Sequence, residues 1–156
     1  MKAYLDTSVI SALFDEKNPE RKSLTEAFLK RARILEVCIS QITLVEIEQT
    51  PDLELRNKMR GAISQFSILR FLYNNVESVE WLAKEYVRYG AVPEGYPEDA
   101  YHIATAVISE MDYLLSWNFK HIVHFDKIRQ FNSVNMREGY KQIEIFSPRE
   151  VVNYEI

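Results

Sequence analysis

Apolar residues fall along this chain in two rhythms: short unbroken runs, and spacings of three and four residues. Their alternation lays out strands and helices in turn. Ala3-Tyr4-Leu5 reads as a buried strand ending in the polar turn Asp6-Thr7-Ser8, and Val9-Ile10 with Ala12-Leu13-Phe14 supply the apolar face of a short helix. Pro19 to Arg33 carries helix signals, with proline near the start and Leu24, Ala27 and Phe28 at helical spacing. Ile34 to Ile39 is β-like, and Ser40 is placed to cap a helix carrying Ile42, Val45 and Glu46. Pro51 redirects the chain, because the residue before a proline avoids the α region, and another helix covers residues 52–65.

Gln65 to Tyr73 fits a strand or a loop. Val76, Val79, Leu82, Ala83, Tyr86 and Val87 make an amphipathic helix ending near Gly90. Pro97 then opens a helix through Asp99, Ile103, Ala106, Val107 and Glu110. Asp112 to Ser116 is a strand running into Trp117-Asn118; a helix near 125–138, a strand near Ile143–Phe146 and a last turn after Pro148 follow. Strands alternating with helices predict an α/β sandwich around a mainly parallel sheet. At 156 residues with four glycines, a single domain over residues 1–156 is expected.

Composition narrows the function classes. The net charge of −4 argues against a protein that coats nucleic acid by charge alone. Between residues 119 and 149, six Lys/Arg face three acids, a pattern that a solvated helix face and a phosphate-binding surface explain equally well. The lone Cys38 sits in the apolar run Val37-Cys38-Ile39 and reads as a buried free thiol in a reducing compartment. Asp6 interrupts the first apolar stretch before a signal peptide could form. No apolar run approaches the roughly 20 residues that span a bilayer, so a cytoplasmic location without membrane contact is expected.

Ligands of parallel α/β sheets gather at the carboxyl ends of the strands. Asp6 falls at one such end and Ser116 to Asn118 at another. Two more acids stand in apolar company: Glu46 between Val45 and Ile47, and Asp99 ahead of the run Ile103–Ile108. Asp6 could cap a turn and Asp99 could favour a helix start, but capping does not explain Glu46. Packed together, three carboxylates repel and lose hydration, and no basic residue is paired with them at helical spacing. A divalent cation is the simplest compensating charge, and oxygen ligands suit Mg²⁺ or Mn²⁺ better than zinc. His102, His121 and His124 show no zinc-ligand spacing and are expected at the surface or in helix packing. The phosphate-cradling glycine loops and the nucleophile elbow are missing from the sequence.

Four strings, Tyr4–Ser8, Thr43–Ile47, Glu98–Ala106 and Tyr113–Phe119, resemble in their order the PIN domain, most closely its VapC-like branch of toxin ribonucleases from toxin–antitoxin pairs. That resemblance implies a three-layer, Rossmann-like α/β/α fold and endonucleolytic cleavage of RNA. It implies an acidic pocket for Mg²⁺ or Mn²⁺ formed by Asp6, Glu46 and Asp99, in which Ser8 hydrogen-bonds the metal shell or a phosphate. A homodimer and an antitoxin protein are the partners it implies. Many relatives carry aspartate where this chain has Asn118; an amide coordinates or orients water but brings no charge, which weakens a second metal site. The rival expectation is a non-catalytic module of the same fold that binds RNA or a partner protein. A haloacid-dehalogenase-type phosphatase needs a second acid where Ser8 stands, and a receiver domain needs an acidic pair near the first strand.

Overall fold

The short apolar runs become the strands of one sheet, and they are apolar at consecutive positions because helices cover both of its faces. The computed structural model describes residues 1–32, 35–66, 69–72 and 75–152. In chain order these form β1 (Lys2–Leu5), α1 (Thr7–Ala12), α2 (Pro19–Arg31), β2 (Glu36–Ser40), α3 (Gln41–Glu48), α4 (Leu53–Gln65), β3 (Leu69–Leu72), α5 (Val76–Arg88), α6 (Pro97–Ile108), β4 (Tyr113–Leu115), α7 (Phe125–Arg137), β5 (Glu144–Phe146) and α8 (Pro148–Val152). Arg33 and Ile34, expected in a helix and a strand, lie outside the described residues, as do Ser67, Ile68 and Tyr73 of the ambiguous segment.

The strands are ordered β3-β2-β1-β4-β5. All four pairings are parallel, so the sheet is more uniform than the mainly parallel one expected. Side chains alternate between two cores. Tyr4, Cys38 and Leu114 face the layer of α5, α6 and α7. Ala3, Leu5, Val37, Ile39, Tyr113 and Leu115 face α1, α2, α4 and α8. The result is the three-layer α/β/α arrangement. A slip of one residue would exchange the two sets, so burial on both sides fixes the register. Burying one such side chain is worth about 1.5–3 kcal/mol, whereas an exposed ion pair contributes about 0–1 kcal/mol. The apolar layers, not surface charges, therefore hold the sheet.

Local signals end the helices. Asn18, Asp52 and Asn75 accept hydrogen bonds from the first-turn amides of α2, α4 and α5. Gly90, at φ +77°, sits just past α5 in the left-handed region that glycine tolerates best. Ser40 departs from its expected capping role. It occupies the N-cap position of α3 without a side-chain cap bond, and its hydroxyl meets the Tyr4 hydroxyl at 2.7 Å instead. Nor is α3 as buried as its apolar sequence suggests: Thr43 and Ile47 are inside, while Leu44 and Val45 are exposed. Cys38 is buried as a free thiol. No helix among the described residues is long and apolar enough to cross a membrane.

Candidate functional site

Because every strand runs the same way, the segments leaving their carboxyl ends share one edge of the sheet. Asp6 leaves β1 there and precedes α1; Glu46 stands on α3, which follows β2; Asp99 is in the first turn of α6; Ser116 and Asn118 leave β4. Asp6, Glu46, Asp99, Ser8 and Asn118 all line one cavity of about 320 Å³, together with Thr7 and His102. None of the described residues lining it is Lys or Arg. A neighbouring hollow of about 480 Å³ is lined mainly by apolar side chains such as Ile42, Val45, Leu72, Val76 and Val79, and lacks this convergence of polar groups.

Asp6 is the most enclosed of the acids, with 4% exposure. Its carboxylate accepts from the Ser8 hydroxyl at 2.5 Å and the Ser116 hydroxyl at 2.6 Å. The same two serine oxygens accept the backbone N–H groups of Trp117 and Asn118, each at 2.9 Å. Two hydroxyls therefore connect the loop after β4 to the acid after β1. Burial pushes the Asp6 carboxyl up from its ordinary range; the nearby His102 and the two serine hydroxyls work against that rise without cancelling it. Ser8 thus donates its proton to Asp6, one of the acids expected to hold the metal.

Glu46 is 27% exposed at the side chain. Burial acts to raise its pKa, but hydrogen bonds from His102 Nε2 and from the Thr7 hydroxyl, the latter at 2.6 Å, outweigh burial and hold it below the usual range. Both bonds fall on Oε1. His102, only 2% exposed, meets the Tyr4 hydroxyl through Nδ1 at 2.6 Å. Burial acts to lower its pKa; Glu46 first, then Asp6 and Asp99, more than reverse this.

Asp99 accepts on Oδ2 from His121 Nδ1 at 3.0 Å and, more distantly, from Asn118 Nδ2 at 3.4 Å. Its carboxyl is raised by burial, which the bond from His121 only partly offsets. Asn118 Oδ1 in turn accepts the His121 N–H at 3.0 Å, so both ends of the Asn118 amide are engaged.

The acids are within electrostatic reach of one another, since Glu46 raises the pKa of both Asp6 and Asp99. Among the described residues, however, no three His, Cys, Asp or Glu side chains converge as a ready-made metal site, and each of the three carboxylates accepts hydrogen bonds from the chain's own groups. The donor set still suits a hard cation. Buried carboxylates without a Lys or Arg are the ligands that Mg²⁺ and Mn²⁺ take, and a cation would remove the cost that raises Asp6 and Asp99. The partners that did arrive are histidines. His102 and His121 were expected in surface or packing roles, and both instead hydrogen-bond an acid of the cavity. For His102 a faint signal existed: it lies one helical turn after Asp99 on α6. His121 carries none, because its contact depends on how the loop after β4 folds back.

A family model described as the PIN domain matches residues 3–134. Two solved structures share the fold. One is described as VapBC2 from Rickettsia felis bound to a DNA fragment from their promoter; it is 14% identical, with a TM-score of 0.58, over 94% of this chain and 98% of that one. The other is VapBC-1 from nontypeable Haemophilus influenzae, 16% identical with a TM-score of 0.60 over 96% of this chain and 99% of that one. No curated protein matches the sequence.

Proposed function

Since this chain belongs to the PIN-domain family, we propose that it is an endoribonuclease that uses Mg²⁺ or Mn²⁺ held by Asp6, Glu46 and Asp99 to hydrolyse RNA phosphodiester bonds. One observation carries the reading: three carboxylates far apart in sequence line a single cavity whose walls include no Lys or Arg among the described residues. Buried acids assembled without counter-charge cost stability, and such arrangements cluster at functional sites.

When bound, the cation supplies polarisation of a phosphoryl oxygen and activation of the attacking water. The chain's own groups supply the rest. Ser8 and Ser116 fix both oxygens of Asp6. Thr7 and His102 keep Glu46 ionised and oriented. Asn118 links Asp99 to the loop after β4 and reaches the cavity wall, where its amide can orient substrate or water. No side-chain nucleophile is required.

The likeness to two VapBC structures favours a role as the toxin of a toxin–antitoxin pair, with a small antitoxin protein as partner. A cytoplasmic homodimer belongs to the same reading, and light scattering on the purified chain tests the dimer.

Purified protein with Mn²⁺ is expected to cut single-stranded RNA internally and to stop on addition of EDTA. Protein that binds several RNAs with either cation and cuts none would replace this reading with the non-catalytic module. Asn118 is the observation that favours that second reading, because it brings no charge and both its amide ends are occupied. Asn118→Asp separates the two. In the nuclease it tightens Mn²⁺ binding and leaves cleavage equal or higher, or lowers a measurable cleavage where the Asn118 amide orients the water; in a binding module it leaves RNA binding unchanged and cleavage at zero.

A further inference from the structure

The two partly exposed acids of the cavity are held in the same lopsided way. Glu46 takes both of its hydrogen bonds on Oε1, and Asp99 takes both of its on Oδ2. Glu46 Oε2 and Asp99 Oδ1 accept none among the described residues. In each case a histidine provides a donor to the occupied oxygen, and the two rings use opposite nitrogens, Nε2 for His102 and Nδ1 for His121. From this geometry we infer that His102 and His121 are positioning residues: each anchors one oxygen of its carboxylate so that the other is presented to a divalent cation. The inference rests on the metal-site reading above and adds to it the residues that set the ligand geometry.

Both rings are themselves fixed. His102 is buried, and its Nδ1 is bound to the Tyr4 hydroxyl, which meets the Ser40 hydroxyl behind it. The ring also packs on Tyr4, with centroids 5.7 Å apart. His121 is buried beneath Tyr96, with ring centroids 4.2 Å apart. A carboxylate on a flexible stem loses rotational freedom when it takes up a metal, and a rigid donor on the non-ligating oxygen removes that loss beforehand. Simple packing does not explain the arrangement. An aliphatic or phenyl side chain would fill either position, whereas both rings aim a nitrogen at an acid.

The opposite nitrogens make the idea testable by amide length. The side-chain amide of glutamine reaches about as far as Nε2 of histidine, and that of asparagine about as far as Nδ1. Four variants of the full chain, His102→Gln, His102→Asn, His121→Asn and His121→Gln, are titrated with Mn²⁺ by calorimetry, with circular dichroism as a check on folding. Wild-type Mn²⁺ binding that Asp6→Asn abolishes locates the cation in this cavity. His102→Gln and His121→Asn are expected to keep Mn²⁺ affinity within about threefold, and His102→Asn and His121→Gln to weaken it by roughly 10–100-fold, as loss of an outer partner does. If neither His102 variant folds, Tyr4→Phe takes their place, because it removes one hydroxyl and is expected to weaken Mn²⁺ binding several-fold. Unchanged affinity in Tyr4→Phe then overturns the His102 half. Affinities that ignore amide length at both positions overturn the inference and leave the metal site standing. A wild-type chain that takes up no Mn²⁺ overturns both.

Discussion

The two ends of the sheet treat their charges differently. At the amino end, charges are answered at the exposed surface: Glu36 pairs with Arg70 at 3.2 Å, Glu110 with Lys141 at 4.0 Å, and the Asp112 carboxylate accepts the Lys2 backbone N–H at 2.6 Å. Those ion pairs are largely exposed and individually weak. At the carboxyl end, Asp6, Glu46 and Asp99 are sunk into a cavity and answered, among the described residues, only by hydroxyls, an amide and two histidines. The first arrangement costs little and does little. The second leaves Asp6 and Asp99 shifted toward the neutral acid by burial, and stability alone gives no reason to keep it. On the function proposed above, what separates the ends is the capacity to bind a cation.

The contrast should be largest in activity. Asp99→Asn removes a carboxylate with almost no change in volume, and its cost to Mn²⁺-dependent RNA cleavage is expected to exceed the roughly 100-fold seen for outer partners of a metal site. A gel assay that finds near-wild-type cleavage would remove Asp99 from the site. Arg70→Ala at the opposite end should leave cleavage untouched in the same assay.

A second difference concerns pH in chelator-treated protein. The folded state favours the neutral forms of Asp6 and Asp99, so it binds protons at pH values where the unfolded chain has already released them. Falling pH therefore stabilises the fold through that window, down to the ordinary aspartate value near 3.9. Glu46, held low, acts in the opposite sense, with its contribution lost only as pH falls below the ordinary glutamate range. The thermal midpoint is expected to rise as pH falls toward that aspartate value, with His102, held above its ordinary value chiefly by Glu46, adding to the rise as pH falls toward about 6.5, and Asp6→Asn should flatten the slope. A midpoint that drops over this interval would mean that the carboxylates are already neutralised within the fold.

The smallest effect is expected at the amino end. Arg70→Ala should shift the midpoint by no more than about 2 °C, because exposed ion pairs contribute little. A larger loss would show that this end is more than solvated surface, and would blunt the contrast.

How much of this was legible in the sequence follows from which contacts are local. Pro19, Pro97 and Gly90 mark helix ends by their own backbone preferences, and α2, α5 and α6 start or stop near them. The strands β1, β2 and β4 are continuous apolar runs, readable because both faces of the sheet are buried. β3 is short, lies at the sheet edge and carries the exposed Arg70, so its pattern did not separate it from a loop. The acids Asp6, Glu46 and Asp99 stood out against apolar neighbours. Their histidine partners did not, because His102 reaches Glu46 across 56 residues and His121 reaches Asp99 across 22. The Ser40 hydroxyl was misassigned for the same reason. Ser40 satisfies a tyrosine on the neighbouring strand instead of a helix end, which no spacing rule predicts.

The bond between Ser116 and Asp6 joins residues 110 positions apart. β1, which delivers Asp6, has β2 on one side and β4 on the other, and β4 is among the last strands to be synthesised. A nascent chain halted before Ser116 therefore contains all three acids and lacks the strand and hydroxyl that gather the first of them into place. Partial products on the ribosome, and fragments clipped upstream of β4, carry the three acids without Ser116 and Asn118. The wall that Asn118 contributes is completed late in synthesis, when β4 docks beside β1.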